Sequence, residues 1–345
     1  MKKLFIAVIS MAALASCTQE DIVINNANNA IAFDNAFVST TTKAIDPSIT
    51  TASITDFQVW GNTKGDHLNS VVVPIFKNET VSNASGVWAY DVNKTQYWID
   101  GNTYNFAAVK NGNVTELADG LPKTINYSLI SDTPGPDLLY ASYGPYEAEA
   151  TGNSEVPFTF AHLLSKAVFT FENTTPDKKD GATTQPANIY KVTNIRVSGL
   201  DAGADYVIEN GVGAWTDNAN GDREEYFGDI VGANETAVKS AAEIREKQIG
   251  KSNYERLLIP GTHNVTITCT ITLYNDYVAD SRIVDVIDYN KTVQLTFHKG
   301  VAYNLILKAG LQQSIEFKVE KVENWNDPYI DVNTPAQGHD NTPSA

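Results

Sequence analysis

The sequence predicts an all-β chain made of two antiparallel β-sandwiches in tandem, an expectation that rests on three observations. Short runs rich in Val, Ile, Thr, Tyr and Phe recur along the 345 residues, separated by Asn, Gly, Asp and Pro. Apolar and polar residues alternate most strictly in Val265-Thr266-Ile267-Thr268-Cys269-Thr270-Ile271-Thr272-Leu273, which sets Val, Ile, Cys, Ile and Leu on one face and four threonines on the other. The length suits two domains of roughly 150 residues each, enough for two cores without disulfide or metal staples. A hydrophobic content of 42% with 10% aromatics belongs to a folded chain, not a disordered one.

The chain opens on Lys2 and Lys3, followed by an apolar stretch of twelve residues from Leu4 to Ala15. A helix that stays in the bilayer needs roughly 20 such residues, so residues 1–16 read as a cleaved signal peptide. Leu14-Ala15-Ser16-Cys17 closes the stretch as a bacterial lipobox, which makes Cys17 the acylated first residue and its acyl chains the link to an outer-membrane leaflet. Thr18-Gln19-Glu20-Asp21 then resembles the surface-export signal of lipoproteins in Bacteroidetes-type Gram-negative bacteria. With Cys17 carrying lipid, Cys269 has no partner for an intrachain disulfide, and its place in an alternating run makes it a core thiol. Loss of residues 1–16 removes two lysines and no acid, taking the formal charge from -16 to -18. Such a surface repels nucleic acid and anionic membranes.

Strands are expected at Phe57-Gln58-Val59-Trp60, Val71-Val72-Val73, Gln96-Tyr97-Trp98-Ile99, Ala167 to Phe171, Tyr190 to Val197, Val293 to Phe297 and Ser314 to Val319. One short helix fits the second half, with Asn234 capping Glu235 to Ile249, Arg245 and Lys247 late in it and Gly250 just beyond. Gly101-Asn102-Thr103-Tyr104-Asn105-Phe106 and Gly300-Val301-Ala302-Tyr303-Asn304-Leu305 share a turn glycine that leads into Tyr-Asn-apolar. That repeat suggests two sandwiches of similar design meeting near residue 160. Asn173 to Asn188 reads as a solvated loop, and residues 331–345, with no large apolar side chain from Asn333 to Ala345, as a polar tail.

Catalytic and metal constellations are not evident. His67, His162, His263, His298 and His339 lie far apart, without a His-Glu-x-x-His or a cysteine pair. His162, at the edge of a strand, is expected to bond backbone at the domain junction. There is no Gly-x-Ser-x-Gly elbow and no phosphate-cradling Gly-x-x-x-x-Gly-Lys, so neither an enzyme nor a cofactor is expected. Asp217-Asn218-Ala219-Asn220-Gly221-Asp222 with Glu224 and Glu225 gathers hard oxygen ligands, but aligned on Gly221 the EF-hand register puts Thr216 first and Phe227 twelfth. It reads as a solvated acidic turn. Trp88, Tyr90, Tyr97 and Trp98 suit either a sugar-stacking platform or core packing around a hairpin at Asn93-Lys94.

Several segments, in order, resemble the fimbrillin family, the two-domain pilins of Bacteroidetes-type bacteria. They are Thr42-Lys43-Ala44; Tyr97-Trp98 with Gly101 and Tyr104-Asn105-Phe106-Ala107-Ala108-Val109; Asp137-Leu138-Leu139-Tyr140-Ala141; Phe160 to Phe169; Leu257-Leu258-Ile259-Pro260-Gly261; and Ile315-Glu316-Phe317 with Val322 and Trp325. The resemblance implies two transthyretin-like β-sandwiches, surface transport as a lipoprotein, and proteolytic removal of a leader that takes a strand with it. The emptied groove then accepts a strand from the C-terminal part of another subunit, because unpaired backbone groups and apolar pockets are satisfied together.

On this chain the leader would be residues 17–43, with Ala30-Ile31-Ala32-Phe33 as its strand and Ile31 and Phe33 as knobs. The two domains would be 44–160 and 161–330. Cleavage would fall between Lys43 and Ala44, although family members more often carry Arg at that place; an ordinary linker lysine is the alternative. The donor strand would be Ser314 to Val319, with Ile315, Phe317 and Val319 on one face and Trp325 anchoring the end, unless this is the second domain's own last strand. The implied partners are other pilin subunits, outer-membrane lipid through Cys17, and a host or bacterial surface receptor. The competing function is a surface glycan-binding lipoprotein.

Overall fold

Apolar side chains at every second position bury one face of a pleated ladder, and the described residues follow that pattern mostly as strands. The computed structural model describes residues 29–38, 54–129, 136–175, 187–216, 221–232, 249–277, 280–310 and 314–322. In the first half these are β1 (Phe33–Val38), β2 (Asp56–Lys64), β3 (Val73–Ala84), β4 (Val87–Ala89), β5 (Thr103–Lys110), β6 (Asn113–Glu116), β7 (Pro122–Ser128), β8 (Leu139–Glu147) and β9 (Val156–His162). The second half adds β10 (Ser165–Asn173), β11 (Ala187–Asp201), β12 (Gly203–Glu209), β13 (Val212–Trp215), β14 (Asp222–Gly228), β15 (Ile230–Gly232) and β16 (Ile249–Ser252). It continues with β17 (Arg256–Leu258), β18 (Gly261–Tyr277), β19 (Asp280–Phe297), β20 (Ala302–Ala309) and β21 (Glu316–Val322).

Seven strands of the first half make one sheet in the order β1-β9-β8-β5-β2-β3-β4, curled so that its edges β1 and β4 approach each other. The concave face encloses an aromatic core of Phe57, Phe76, Trp98, Tyr104, Phe106, Phe158 and Phe160. The central strand β5 is buried on both sides: Tyr104, Phe106 and Ala108 face that core, whereas Val109 turns to a second cluster with Trp60 of β2. In the second half the sheet β15-β16-β10-β20-β21, with β17 also on β10, faces the sheet β14-β11-β18-β19. Phe169, Phe171, Leu305 and Leu307 of one layer meet Val192, Ile195, Ile267 and Ile271 of the other. In β11, Gly199 has φ +81, and a Cβ there would lie 2.4 Å from the Asn264 carbonyl oxygen, so this close crossing onto β18 needs glycine.

A fourth sheet, β13-β12-β7-β6, takes strands from both halves. β7 and β12 pair antiparallel from Thr124↔Val207 to Ser128↔Gly203. Beneath them Trp60, Tyr127 and Leu138 of the first half pack with Leu163, Tyr206 and Ile259 of the second. The Trp215 indole donates to the Leu163 carbonyl at 2.7 Å, and Arg223 of β14 donates to the Leu129 carbonyl. The halves are therefore joined by main-chain ladder as well as by side chains, and relative rocking would break hydrogen bonds.

Several sequence expectations are corrected. Most ladders are antiparallel, but β1–β9 and β10–β20 are parallel, as strands distant in sequence can be. The expected helix Glu235–Ile249 falls on residues outside the described ones except for Ile249, which starts β16. There Ile249 and Gly250 pair with Glu172 and Phe171 of β10, a main-chain demand stronger than glycine's stop signal. Val71 and Val72 precede β3 as exposed residues outside any strand, and Gln96 to Ile99 makes a single bridge, at Tyr97, in place of a strand.

Phe106 touches the rings of Phe33, Phe76, Trp98, Tyr104 and Tyr143 at centroid distances of 5.7 to 6.5 Å. Truncation to Phe106→Ala leaves a cavity that a closed sheet cannot collapse, so urea unfolding should show a loss of about 3–5 kcal/mol. A loss under about 1 kcal/mol would mean that this core is loosely packed.

Candidate functional site

Residues 29–38 run along the first-half sheet and are held at both ends. Upstream, the Asn29 side-chain amide donates to the Trp98 carbonyl and the Trp98 amide to the Asn29 carbonyl, both at 2.9 Å. Ala30 bridges Tyr97, and the Ile31 amide donates to the Gln96 carbonyl at 2.8 Å. The chain then crosses to β9: the Val156 amide donates to the Ala32 carbonyl at 2.8 Å, and Phe33 and Asp34 register with Val156 and Pro157. The regular strand is thus Phe33–Val38, later than the expected Ala30 to Phe33, because Ala30 and Ile31 bond to the 96–98 segment and not to β9.

Ile31 and Phe33 are buried in the aromatic core, Phe33 at 4% exposure. The Phe33 ring stacks on Phe158 at 5.7 Å and 11°, and meets Phe57, Phe76, Tyr90 and Phe106 edge-on between 5.6 and 6.3 Å. Burying each of Ile31 and Phe33 contributes about 1.5–3 kcal/mol. β9 registers with β8 only at Leu139↔His162 and Tyr140↔Ala161, so residues 156–160 take their sheet pairing from β1.

The sequence missed the groups that fasten this segment. Tyr90 donates its hydroxyl to the Ile31 carbonyl at 2.8 Å, and Asn153 donates to the Asn29 side-chain oxygen at 2.8 Å. These partners lie 59 and 124 residues away in sequence, and no local pattern marks them. Desolvation raises the Tyr90 phenol above its ordinary value, as it does for Tyr104 and Tyr143, so Tyr90 stays a donor through neutral pH.

At the other end of the described chain, β21 pairs antiparallel with β20, from Ala302↔Val322 to Lys308↔Glu316, as the outer strand of its own sheet. Ile315 and Phe317 pack partly buried on the second core, with the Lys291 ammonium 5.8 Å from the Phe317 ring centroid, and Val319 is 39% exposed. Cys17, Lys43, Ala44 and Trp325 lie outside the described residues.

Trp88 lies 5.1 Å from Phe57, Tyr90 meets Phe76, and Trp98 is buried against Tyr104, which leaves Tyr97 as the exposed member of the proposed sugar platform. His162 bonds the Asp137 carboxylate through Nδ1, and His263 bonds the Ile259 carbonyl at 3.1 Å. Cys269 is buried, its thiol pushed up to about 12 by desolvation, which suppresses the nucleophilic thiolate. Among the described residues no group of three or more His, Cys, Asp or Glu is placed to hold a metal ion, and no helix is long and apolar enough to cross a membrane.

The raised phenols give an alkaline signature. Stability from a tyrosine whose folded pKa is raised is complete below the unfolded value of about 10 and is lost as pH rises through the folded one. Thermal unfolding temperature should therefore fall above about pH 10. Tyr90→Phe should flatten part of that fall and speed hydrogen exchange at the Ile31 amide; unchanged exchange would show that Tyr90 does not hold the segment.

A family model described as fimbrillin-like matches residues 42–326. Among solved structures, the chain is similar to a fimbrial protein from Bacteroides vulgatus at 17% identity and TM-score 0.62, covering 86% of this chain and 100% of that one. It is also similar to a protein from Bacteroides ovatus assigned to cell adhesion, at 15% identity and TM-score 0.47, covering 87% and 99% of the two chains. At these identities the first likeness concerns the fold, and the second carries no argument. No curated protein matches the chain.

Proposed function

The chain belongs to the fimbrillin-like family, and from that premise we propose that it is a fimbrial subunit that polymerises by exchanging the leader strand for a neighbour's donor strand. In this reading it is exported as a lipoprotein through Cys17 to the outer cell surface, cut between Lys43 and Ala44, and released into filaments of pilin subunits. Its domains would be residues 44–160 and 161–330, locked together by the β7–β12 ladder.

The seat of Phe33 is the observation that carries the proposal. One short segment fills a pocket of five aromatic rings and supplies the pairing of β9, so its loss uncovers an apolar cavity and a row of unpaired backbone groups at once. Ile315-Glu316-Phe317 repeats the spacing of Ile31-Ala32-Phe33. β21 is an edge strand, so it leaves without parting two ladders, and its Phe317 is only partly buried at home. In the leader seat that ring would be enclosed. Exchange thus gives up a seven-pair ladder for a seat whose present occupant pairs β9 at four positions and bonds the 96–98 segment, and it gains apolar burial for the donor ring. A glycan-binding role is less favoured, since three of its four aromatic candidates pack against core rings.

Limited trypsin treatment of the intact chain, with the new amino terminus at Ala44 confirmed by sequencing, should yield a ladder of oligomers on an unboiled SDS gel. Phe317→Asp should be cut equally well but remain monomeric. A wild-type chain that starts at Ala44, has lost its leader and still runs as a monomer would sink the proposal.

A further inference from the structure

At 18 residues, β19 is the longest strand at any sheet edge among the described residues, and β18 pairs only one side of it. Residues 283–287 of its first half are apolar except for Asp285. Ile283, Val284, Val286 and Ile287 are between 36% and 61% exposed. Ile287 sits opposite Ile271 on the core-facing side and Val286 opposite Thr272 on the outer side, so both faces of the free edge are apolar there. An exposed edge apolar on both faces is unusual because it invites pairing with another strand. The bulge at Val284, between the pairs Leu273↔Asp285 and Tyr274↔Ile283, and the charges of Asp285, Asp288 and Lys291 restrict which strand can join.

The order of those residues selects the partner. Residues 282–288 read Arg-Ile-Val-Asp-Val-Ile-Asp, whose centre Ile-Val-Asp-Val-Ile is the same in both directions and whose ends carry opposite charge. A second copy laid antiparallel along the edge sets apolar residues beside apolar residues and places the Arg282 end of each strand at the Asp288 end of the other. A parallel copy would align like with like. We propose that β19 is a homotypic docking edge through which two copies of this chain join by two-fold antiparallel strand pairing centred near Asp285. The contact uses residues of neither β1 nor β21 and adds a lateral contact to an end-to-end one. The meeting of the two Asp285 carboxylates on the axis and the bulge at Val284, which sets Ile283 on the face opposite to Ile287, are its unfavourable elements, and they keep the association weak and reversible.

Sedimentation equilibrium of the full chain with its leader intact, carrying Cys17→Ser so that no lipid is attached, tests this up to about 100 μM, the weak range expected of a small edge contact. The chain should dimerise, and Val286→Lys should weaken dimerisation by about tenfold or more. Asp285→Asn should tighten it several-fold. Arg282→Asp and the double variant Asp285→Lys, Asp288→Lys should each lose self-association but pair with one another when mixed. All of these changes lie on the edge strand β19, and circular dichroism checks that the fold is kept. Dissociation in SDS without boiling separates these dimers from strand-exchanged polymers. A wild-type chain monomeric throughout, Val286→Lys associating like wild type, or charge variants that fail to pair when mixed would each overturn the proposal.

Discussion

The Phe33 ring lying flat on Phe158, ringed edge-on by Phe57, Phe76, Tyr90 and Phe106, is the contact on which the first half depends. A curled sheet whose edges β1 and β4 face each other has an interior that only a strand at that edge can close. Phe33 closes it with a large apolar group, while the same few residues supply hydrogen bonds to β9 and to the 96–98 segment. Side-chain burial and backbone satisfaction are therefore concentrated in one short stretch, and a structure with that distribution is sensitive to the stretch's replacement and indifferent to which molecule supplies it.

The second half is organised on the opposite plan. Its core lies between two facing sheets, and the strand that resembles the leader, β21, is outermost with its apolar residues only partly covered. Removing an edge strand from a sandwich exposes one ladder and a margin of the core; removing β1 from a curled sheet opens the centre. Under the proposed exchange, that asymmetry would move Phe317 from a partly covered place into an enclosed one. Between the halves, the shared sheet with its β7–β12 ladder and the Trp60, Tyr127 and Tyr206 packing beneath it make a stiff link, so a strand seated in one half positions the other half without a hinge.

Ionisable groups follow the same structural logic. Glu225, almost wholly buried, is held by Arg223 at 2.7 Å and Arg256 at 3.6 Å, and Arg256 lies over the Tyr254 ring. Such a cluster is costly to break by removing one member, about 3–5 kcal/mol, and it fixes β14 against β17 more than it adds net stability. The threonines of β18 that face away from the core pair across to β19, as in Thr262 with Thr296 and Thr266 with Thr292, each at 2.9 Å. They keep the long hairpin ordered up to the stretch where its edge turns apolar.

Alternation alone determined the all-β class, the burial of Cys269 and the faces of β18, because period-two patterning is a local property that any strand must obey whatever its neighbours. The order and spacing of short motifs carried the resemblance to the family, and that resemblance pointed to Ile31 and Phe33 as the leader's knobs. What tertiary structure alone decided was pairing. The sequence gives no sign that β7 and β12 join the halves in one sheet, that Tyr90 and Asn153 fasten residues 29 and 31, that the first strand begins at Phe33, or that Ile249 and Gly250 extend a sheet where a helix end was expected. Hydrogen bonding between strands is made by backbone groups that every residue carries, so its partners are chosen by topology and register, and those exist only once the whole chain has closed on itself.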